Sequence, residues 1–372
     1  MSFLTILLSP FNLLFFIIIT GFAIGKVRIK HISLGIAGIL FVAILVGILI
    51  SKFIPETYAD SVTSTQSTMK EFSKLGTSLF VSVIGLQTGF SIKNKSKGSL
   101  IAFLTGALMS ISGVMIMLLI SVLDKAINDS SLLGILCGAL TSTPGLSSVC
   151  ELIGTGSEEA VWGYGCSYLL GVIFIVVFAQ LFTPTTTDGE TEKAKTSNIV
   201  SKIYPELILI SVTALFGGIL GNIYIPFLYI FIGNTAITLL IGVIVGYIVQ
   251  RHFANIQISS QIINTFRNLG LALFFTGTGF ATGIQSIDFD VKFVFYGALI
   301  TLTAILFGWI LCKVVSTRYH LYNGFVVAGG MTSSPAYGAI SFKASESSIN
   351  HFSFAYFGAL ISLVIAIQII GR

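Results

Sequence analysis

The sequence predicts an all-α integral membrane protein made of two inverted-topology repeats, each with about five transmembrane helices plus one proline-broken or re-entrant segment. Three observations lead there: a composition too apolar for water, about a dozen apolar runs close to spanning length, and one motif pattern that occurs twice in the same order.

Hydrophobic residues make up 54% of the chain and charged residues 9%, with a mean hydropathy of +0.96, whereas a soluble domain carries about 25% charged residues. Such a chain cannot cover itself in water, so the lipid bilayer is its expected partner. Runs such as Leu4 to Ile24, Ile32 to Ile50, Leu100 to Leu123 and Val291 to Leu311 approach the roughly 20 residues that span hydrocarbon as a helix. No room is left for a soluble catalytic domain. The net charge of +5 sits in short basic runs between apolar segments, which reads as topology and not as a nucleic-acid surface. The first run lacks a preceding basic residue and a small-residue cleavage site, so a retained helix is expected in place of a signal peptide.

Apolar runs divide the first half near residues 5–24, 32–50, 72–91, 98–123, 131–153 and 161–182, and the second near 206–222, 227–250, 264–285, 293–315, 324–342 and 351–370. Between them lies the longest polar stretch, TPTTTDGETEKAKTSNIVSK, a linker by composition. The expected organisation is a first transmembrane repeat over 1–182, a cytoplasmic linker over 183–203 and a second repeat over 204–372. If the fifth segment of each half dips in and returns, each half crosses five times. With the N-terminus outward, Lys26, Arg28, Lys30, Lys93, Lys95, Lys97, Lys193, Lys195, Lys202, Arg251, Lys313, Arg318 and Lys343 then fall on the cytoplasmic side of a plasma (inner) membrane. Lys52, Lys70, Lys74, Lys125, Lys292 and Arg372 are the main ones left outside.

The repeat is legible residue by residue. FSKLGTSLFVSVIGLQTGFSI aligns with FRNLGLALFFTGTGFATGIQSI, pairing Phe72 with Phe266, Gly76 with Gly270, Gly85 with Gly279, Thr88 with Thr282 and Gly89 with Gly283. Further on, GALTSTPGL answers AGGMTSSPAY, and Tyr168 and Gln180 answer Tyr356 and Gln368. An odd number of crossings per half turns the copies upside down relative to each other, the architecture of many alternating-access transporters.

The duplicated motif carries the candidate chemistry. Thr141, Ser142, Thr143, Pro144 and Gly145 in one half, with Thr332, Ser333, Ser334, Pro335 and Ala336 in the other, interrupt apolar segments. Proline removes a backbone donor there and breaks the helix, and a broken helix at membrane depth is tolerated where protein or a water-filled cavity satisfies it. Two half-helix N-termini together with the hydroxyls form an expected anion site suited to a carboxylate. A proline-kinked helix whose hydroxyls bond back to their own turn is the alternative. Gln87 and Thr88, with Thr282, lie in a second pair of glycine-interrupted segments that either approach the same cavity or pack helices closely. Arg267, whose repeat partner is Ser73, is either a counter-charge for an anion or an interfacial arginine. Tyr168 and Tyr356 either close over a ligand or pack. No acidic residue lies near the centre of a confident spanning segment, which speaks against a buried proton relay and against a cationic cargo, while backbone carbonyls leave a sodium ion open as a coupling partner. Cys137, Cys150, Cys166 and Cys312 lack CxxC spacing, and His31, His252, His320 and His351 lack ligand spacing. No metal centre and no enzyme are therefore expected.

In its stretch from Gly25 to Val42, its IGLQTGF and its duplicated GALTSTPGL and GGMTSSPAY, nearly the whole chain resembles the aspartate:alanine exchanger family. The resemblance implies an exchanger or carrier of small carboxylates such as acidic amino acids or dicarboxylates; sodium-coupled symport of the same anions and, from another class, an anion channel are the alternatives that the residues leave open. It further implies a homodimer in which one bundle slides against a fixed scaffold, elevator fashion. Family members carry large cytoplasmic domains at the central linker, where this chain has Thr183 to Lys202, so family-type regulation lacks its usual seat.

Overall fold

The computed structural model describes residues 8–26, 28–29, 32–33, 35–92, 97–153, 157–183, 203–221, 223–225, 230–252, 259–284, 291–319, 323–340 and 345–371. The expected linker lies outside them except at its ends, as do His31 and His320. The first half holds α1 (Pro10–Lys26), α2 (Gly38–Phe53), α3 (Ala59–Ser91), α4 (Lys97–Leu123), α5 (Asp129–Ala139), α6 (Thr143–Ile153) and α7 (Glu158–Phe182). The second holds α8 (Ile203–Leu220), α9 (Asn234–His252), α10 (Ser260–Ile284), α11 (Val291–Tyr319), α12 (Asn323–Gly330), α13 (Ser334–Ile340) and α14 (Glu346–Ile370). Helices dominate because lipid cannot satisfy backbone groups, which must pair within their own segment.

Among the described residues, α4, α7, α9, α11 and α14 are long and apolar enough to cross a membrane, and α1, α2, α5 and α8 are shorter apolar helices. Leu100, Leu104, Leu108 and Met115 on α4, with Leu299, Leu302, Leu306 and Ile310 on α11, are exposed on the surface. A soluble protein would bury such rows; lipid accommodates them. The chain is an integral membrane protein.

Two short antiparallel ribbons follow the first helix of each half: β1 (Arg28–Ile29) with β2 (Ile32–Ser33), and β3 (Ile223–Ile225) with β4 (Ile230–Ile232). The second replaces the beginning of the helix expected near 227, which starts at Asn234, after Pro226 and the N-cap Gly233. A second departure is α3, which begins at Ala59 and not near 72. The stretch from Ala59 to Glu71 is polar but free of glycine and proline, so nothing in it stops a helix from propagating.

Glycine contacts set the relative direction of the helices. Gly76 on α3 packs on the backbone of Gly270 and Phe274 of α10, while Gly277 packs on Met69 and Ser73. The two helices run antiparallel and touch at their own repeat-equivalent glycines, so a pseudo-twofold axis passes through that contact, perpendicular to both. If these helices cross the bilayer, the axis lies in its plane, and the repeats are inverted. The axis maps further contacts onto one another: Gly85 and Gly89 of α3 lie on Gly242 and Gly246 of α9, as Gly279 and Gly283 of α10 lie on Ala43 and Gly47 of α2. Replacing Gly76 with leucine is expected to force α3 and α10 apart and to destabilise the protein by about 1–3 kcal/mol. The melting temperature in detergent checks this, with leucine-to-alanine at the exposed Leu75 as the neutral control.

The helices sort into two bundles, each with three or four elements from either half. A scaffold bundle combines α1, α2 and α3 with α8, α9 and α10, and a core bundle combines α4 to α7 with α11 to α14. In the core bundle, α4 packs on α14 and α11, α5 on α7, and α12 on α14. The α4–α5 connection is pinned to the start of α11, where the Tyr296 hydroxyl donates to Asp124 at 2.8 Å. That bond, with the Ala126 N–H and nearby Lys292, holds the half-buried Asp124 carboxyl below the usual range.

The broken fifth segment is re-entrant. Asn128, the N-cap of α5, donates to Glu159 at the start of α7, while Leu133 near the start of α5 and Leu152 at the end of α6 both approach Gly371. The chain therefore leaves one side along α5, turns at residues 140–142 and comes back along α6. At the other side, Thr183 at the end of α7 approaches Gly324 at the start of α12. The two hairpins thus enter from opposite sides and meet tip to tip.

Candidate functional site: two hairpin tips and the cavities beside them

The breaks lie at Thr141 and Thr332, the two non-glycine residues of positive φ among those described, at 51° and 48°. Each ends its first half-helix with the paired bonds of a left-handed cap: Ser142 N–H to Cys137 and Thr141 N–H to Gly138, answered by Ser333 to Ala328 and Thr332 to Gly329. A β-branched residue in this region is strained, and both repeats hold the strain at the same place.

The proline's role differs from the expected one. Pro144 and Pro335 stand in the first turn of α6 and α13, where a missing N–H is tolerated; the break precedes them. The carbonyls of Leu140 and Met331 stand at the ends of the first half-helices, where no further turn supplies a donor, and each is taken by the threonine of the opposite hairpin. The Thr332 hydroxyl donates to Leu140 at 3.2 Å, and the Thr141 hydroxyl donates to Met331 at 2.6 Å. This reciprocal pair, buried at the pseudo-twofold axis, ties the tips together.

The candidate hydroxyls do not converge on one cavity. Ser142 and Ser333 are fully buried and cap their own half-helices, accepting from Gly145 N–H at 3.2 Å and Ala336 N–H at 3.3 Å. Thr143 shares a hydrogen bond of 3.1 Å with Tyr164. Thr88 and Thr282 donate to carbonyls of their own helices, Ile84 and Thr278, and the glycines around them pack helices. Tyr168 and Tyr356 are buried, Tyr168 stacking on Tyr164 with ring centroids 4.9 Å apart.

Two cavities flank the tips, both at the boundary of the two bundles. One, of about 560 Å³, is lined by Arg267, Asn264, Asn268, Ser334, Pro335 and Tyr337 among others, with Lys26 at its edge. The other, of about 530 Å³, is lined by Lys70, Ser73, Lys74, Thr77, Ser147 and Glu151 among others. The repeat relates their walls: Lys70, Ser73, Lys74 and Thr77 on α3 stand where Asn264, Arg267, Asn268 and Leu271 stand on α10.

Arg267 is the buried charge in the wall of the first cavity. It is 7% exposed, its guanidinium donates to Gln87 at 3.4 Å, and its guanidinium carbon lies 4.8 Å from the centre of the Tyr337 ring. Gln87 in turn donates to Asn264 at 3.0 Å, which orients the amide. The Arg267 Nε is buried and has no hydrogen-bond partner, and no carboxylate of the described residues lies within ion-pair reach. A buried cation so placed is costly without an opposite charge. On the other side, its repeat partner Ser73 instead shares a bond of 2.9 Å with Thr278.

The structure therefore brings Arg267, Gln87, Ser334 and Pro335 together and leaves the remaining motif hydroxyls in the tip junction. Sequence reasoning passed over Asn264 and Asn268, although polar residues one turn from Arg267 in an apolar segment were a signal. Lys70 and Lys74, which the charge pattern puts among the outward groups, stand on α3 in a cavity wall, and Glu151 on α6 belongs to no motif of the sequence. No arrangement of three or more metal-ligating side chains occurs among the described residues.

Comparison with known proteins agrees with this architecture. An uncharacterized transporter of Bacteroides fragilis strain YCH46 is 32% identical over 181 residues, 48% of this chain and 30% of that protein. Another, of Corynebacterium glutamicum, is 32% identical over 202 residues, 52% and 34% of the two chains. A putative transport protein of Glaesserella parasuis serovar 5 is 32% identical over 174 residues, 45% and 30%. The match thus spans about a third of the length of these curated relatives. The family described as a predicted permease membrane region matches residues 13–184 and 209–372, one block for each repeat. This chain belongs to that family of permease membrane regions, the aspartate:alanine exchanger family.

Proposed function

We propose that the protein is a secondary carrier of small carboxylates, acidic amino acids or dicarboxylates among them, working by exchange. The observation that carries this reading is Arg267: a buried guanidinium with an unpaired N–H, facing a cavity of about 560 Å³, is complemented by an anion. Asn264, Asn268 and the Ser334 hydroxyl line the same cavity and supply uncharged hydrogen-bonding groups for the rest of such a ligand.

Alternating access follows from the pseudo-symmetry. The cavities lie on opposite sides of the tip junction, between the same two bundles, so a displacement of the core bundle along the scaffold exchanges their environments. In the orientation with the N-terminus outward, the cavity with Lys70 and Lys74 opens outward and that with Lys26 opens inward. The scaffold bundle is the surface through which a homodimer would form.

Reconstitution into liposomes tests this. With vesicles loaded with aspartate, alanine, succinate or nothing, labelled carboxylate is expected to enter only loaded vesicles, with no dependence on a sodium gradient. Entry into empty vesicles driven by sodium would replace exchange by symport, single-channel currents without saturation would replace it by a channel, and no uptake of any carboxylate would overturn the anion reading.

A further inference from the structure

Glu151 has no part in the carboxylate site, yet its placement is specific. It rides on α6, the returning arm of the first hairpin, and reaches across the bundle boundary to the start of scaffold helix α9. There its carboxylate accepts from the backbone N–H groups of Asn234 and Thr235. Gly233, whose carbonyl opens the helix by accepting from Ile237 N–H, is the N-cap and has no side chain to cap with. A Cβ on Gly233 would collide with the Glu151 carboxylate, so the glycine leaves a cradle that the glutamate of the other bundle fills. One turn earlier on α6, Ser147 accepts from the Thr235 hydroxyl at 2.8 Å. The second carboxylate oxygen, Oε2, is buried without a hydrogen-bond partner, beside a cavity whose polar lining admits water.

We propose that Glu151 is a proton-binding latch between the two bundles: ionised, it ties the first hairpin to the N-terminus of α9; protonated, it lets the hairpin go. A carboxylate is held at a helix N-terminus by the partial positive charge of the exposed N–H groups, and neutralising it removes that attraction. The charged groups sharing its cavity are Lys70 and Lys74 on α3, of which Lys74 is paired with Glu71 at 2.6 Å; burial, the largest influence on the carboxyl, favours its neutral form, and the N–H groups of Thr235 and Asn234 favour the ionised one. Cys150 lines the cavity from α6 itself. At the same end of the hairpin α5 carries Asp129 and α7 carries Glu159, the latter held by Asn128. From α9 the cavity is lined by Asn234, Thr235 and Thr238, and from α10 by Phe274, Gly277, Thr278 and Ala281, none of them titratable. In the register of Pro144 and Pro335 the second repeat carries Phe342 where the first has Glu151, so the carboxylate is not duplicated in the sequence.

The inference rests on the transport reading above, in which the hairpins move with the core bundle, and two measurements separate the two. In a background without native cysteines, Ser147→Cys with Thr235→Cys reports latch closure by disulfide formation, whatever the protein transports. At about pH 8 the pair is expected to cross-link roughly five- to thirtyfold faster with Glu151 than with Glu151→Gln, and the difference is expected to vanish by about pH 5, because burial pushes the Glu151 carboxyl up to about 7. Comparing the two backgrounds at each pH cancels thiol ionisation. Gly233→Ala, which fills the cradle and leaves the charge intact, is expected to behave like Glu151→Gln. In liposomes, exchange is expected to accelerate on acidification in the unmodified protein and to lose that dependence in Glu151→Gln. Equal cross-linking at both pH values, or an unchanged pH profile in Glu151→Gln, would overturn the latch. A pH-sensitive cross-link in a protein that transports no carboxylate would overturn the transport reading and leave the latch standing.

Discussion

Arg267→Ala is expected to abolish saturable carboxylate transport while the protein still folds and inserts. Truncating one partner of a buried, hydrogen-bonded charge pair costs about 2–5 kcal/mol of binding, which is roughly thirty- to several thousandfold in affinity. The unliganded protein is expected to gain, because the substitution removes a buried cation that has no carboxylate partner among the described residues. A rise in melting temperature in detergent without ligand, together with loss of ligand-induced stabilisation, is the signature that separates a binding role from a structural one. Arg267→Lys keeps the charge but loses the planar fork that meets Gln87 and the Tyr337 face, so its affinity is expected to fall between those of the other two. An arginine that merely snorkelled to an interface would leave transport near its original level after either substitution.

Thr332→Val should destabilise the protein by about 1–3 kcal/mol, since the Leu140 carbonyl is left buried without a donor. Valine keeps the shape and the β-branched strain at this left-handed position, so the change isolates the hydroxyl. Thr141→Val tests the pseudo-symmetric half, where the bond to Met331 is the shorter at 2.6 Å. Melting temperatures of the two variants and of the double variant, measured in detergent, decide the matter: the double variant is expected to lose less than the sum, because either lost bond loosens the same contact, and unchanged melting temperatures would show that the junction contributes nothing to stability.

Much of the architecture was legible because lipid simplifies the code. With no water to satisfy the backbone, apolar runs become helices, and the repeat appears as paired glycines and prolines in one register. Boundaries suffered where that rule weakens. From Ala59 to Glu71 the chain is polar, and composition marks it as loop although α3 runs through it. Around Pro226 an apolar run that looked helical begins as a ribbon, because hydrophobicity does not distinguish a short strand from a helix start.

The site divides in the same way. The residue types at the duplicated motif determined by themselves that the fifth segment breaks, and two copies in one order determined that it breaks twice. Which hydroxyl meets which carbonyl was not legible, because Thr141 and Met331 are brought together only when hairpins from opposite sides meet. Arg267 drew attention as a lone charge in an apolar segment, whereas its role depended on what faced it: Gln87 from α3 and Tyr337 from α13. Glu151 was invisible for the same reason, since the cradle that holds it is an absent side chain on another bundle. Sequence alone determined the solvent, the helices, the repeat and the breaks, all of which follow from local composition and spacing. Only the tertiary structure decided the partners, because hydrogen bonds and charges act over a few ångströms between residues that the chain places far apart.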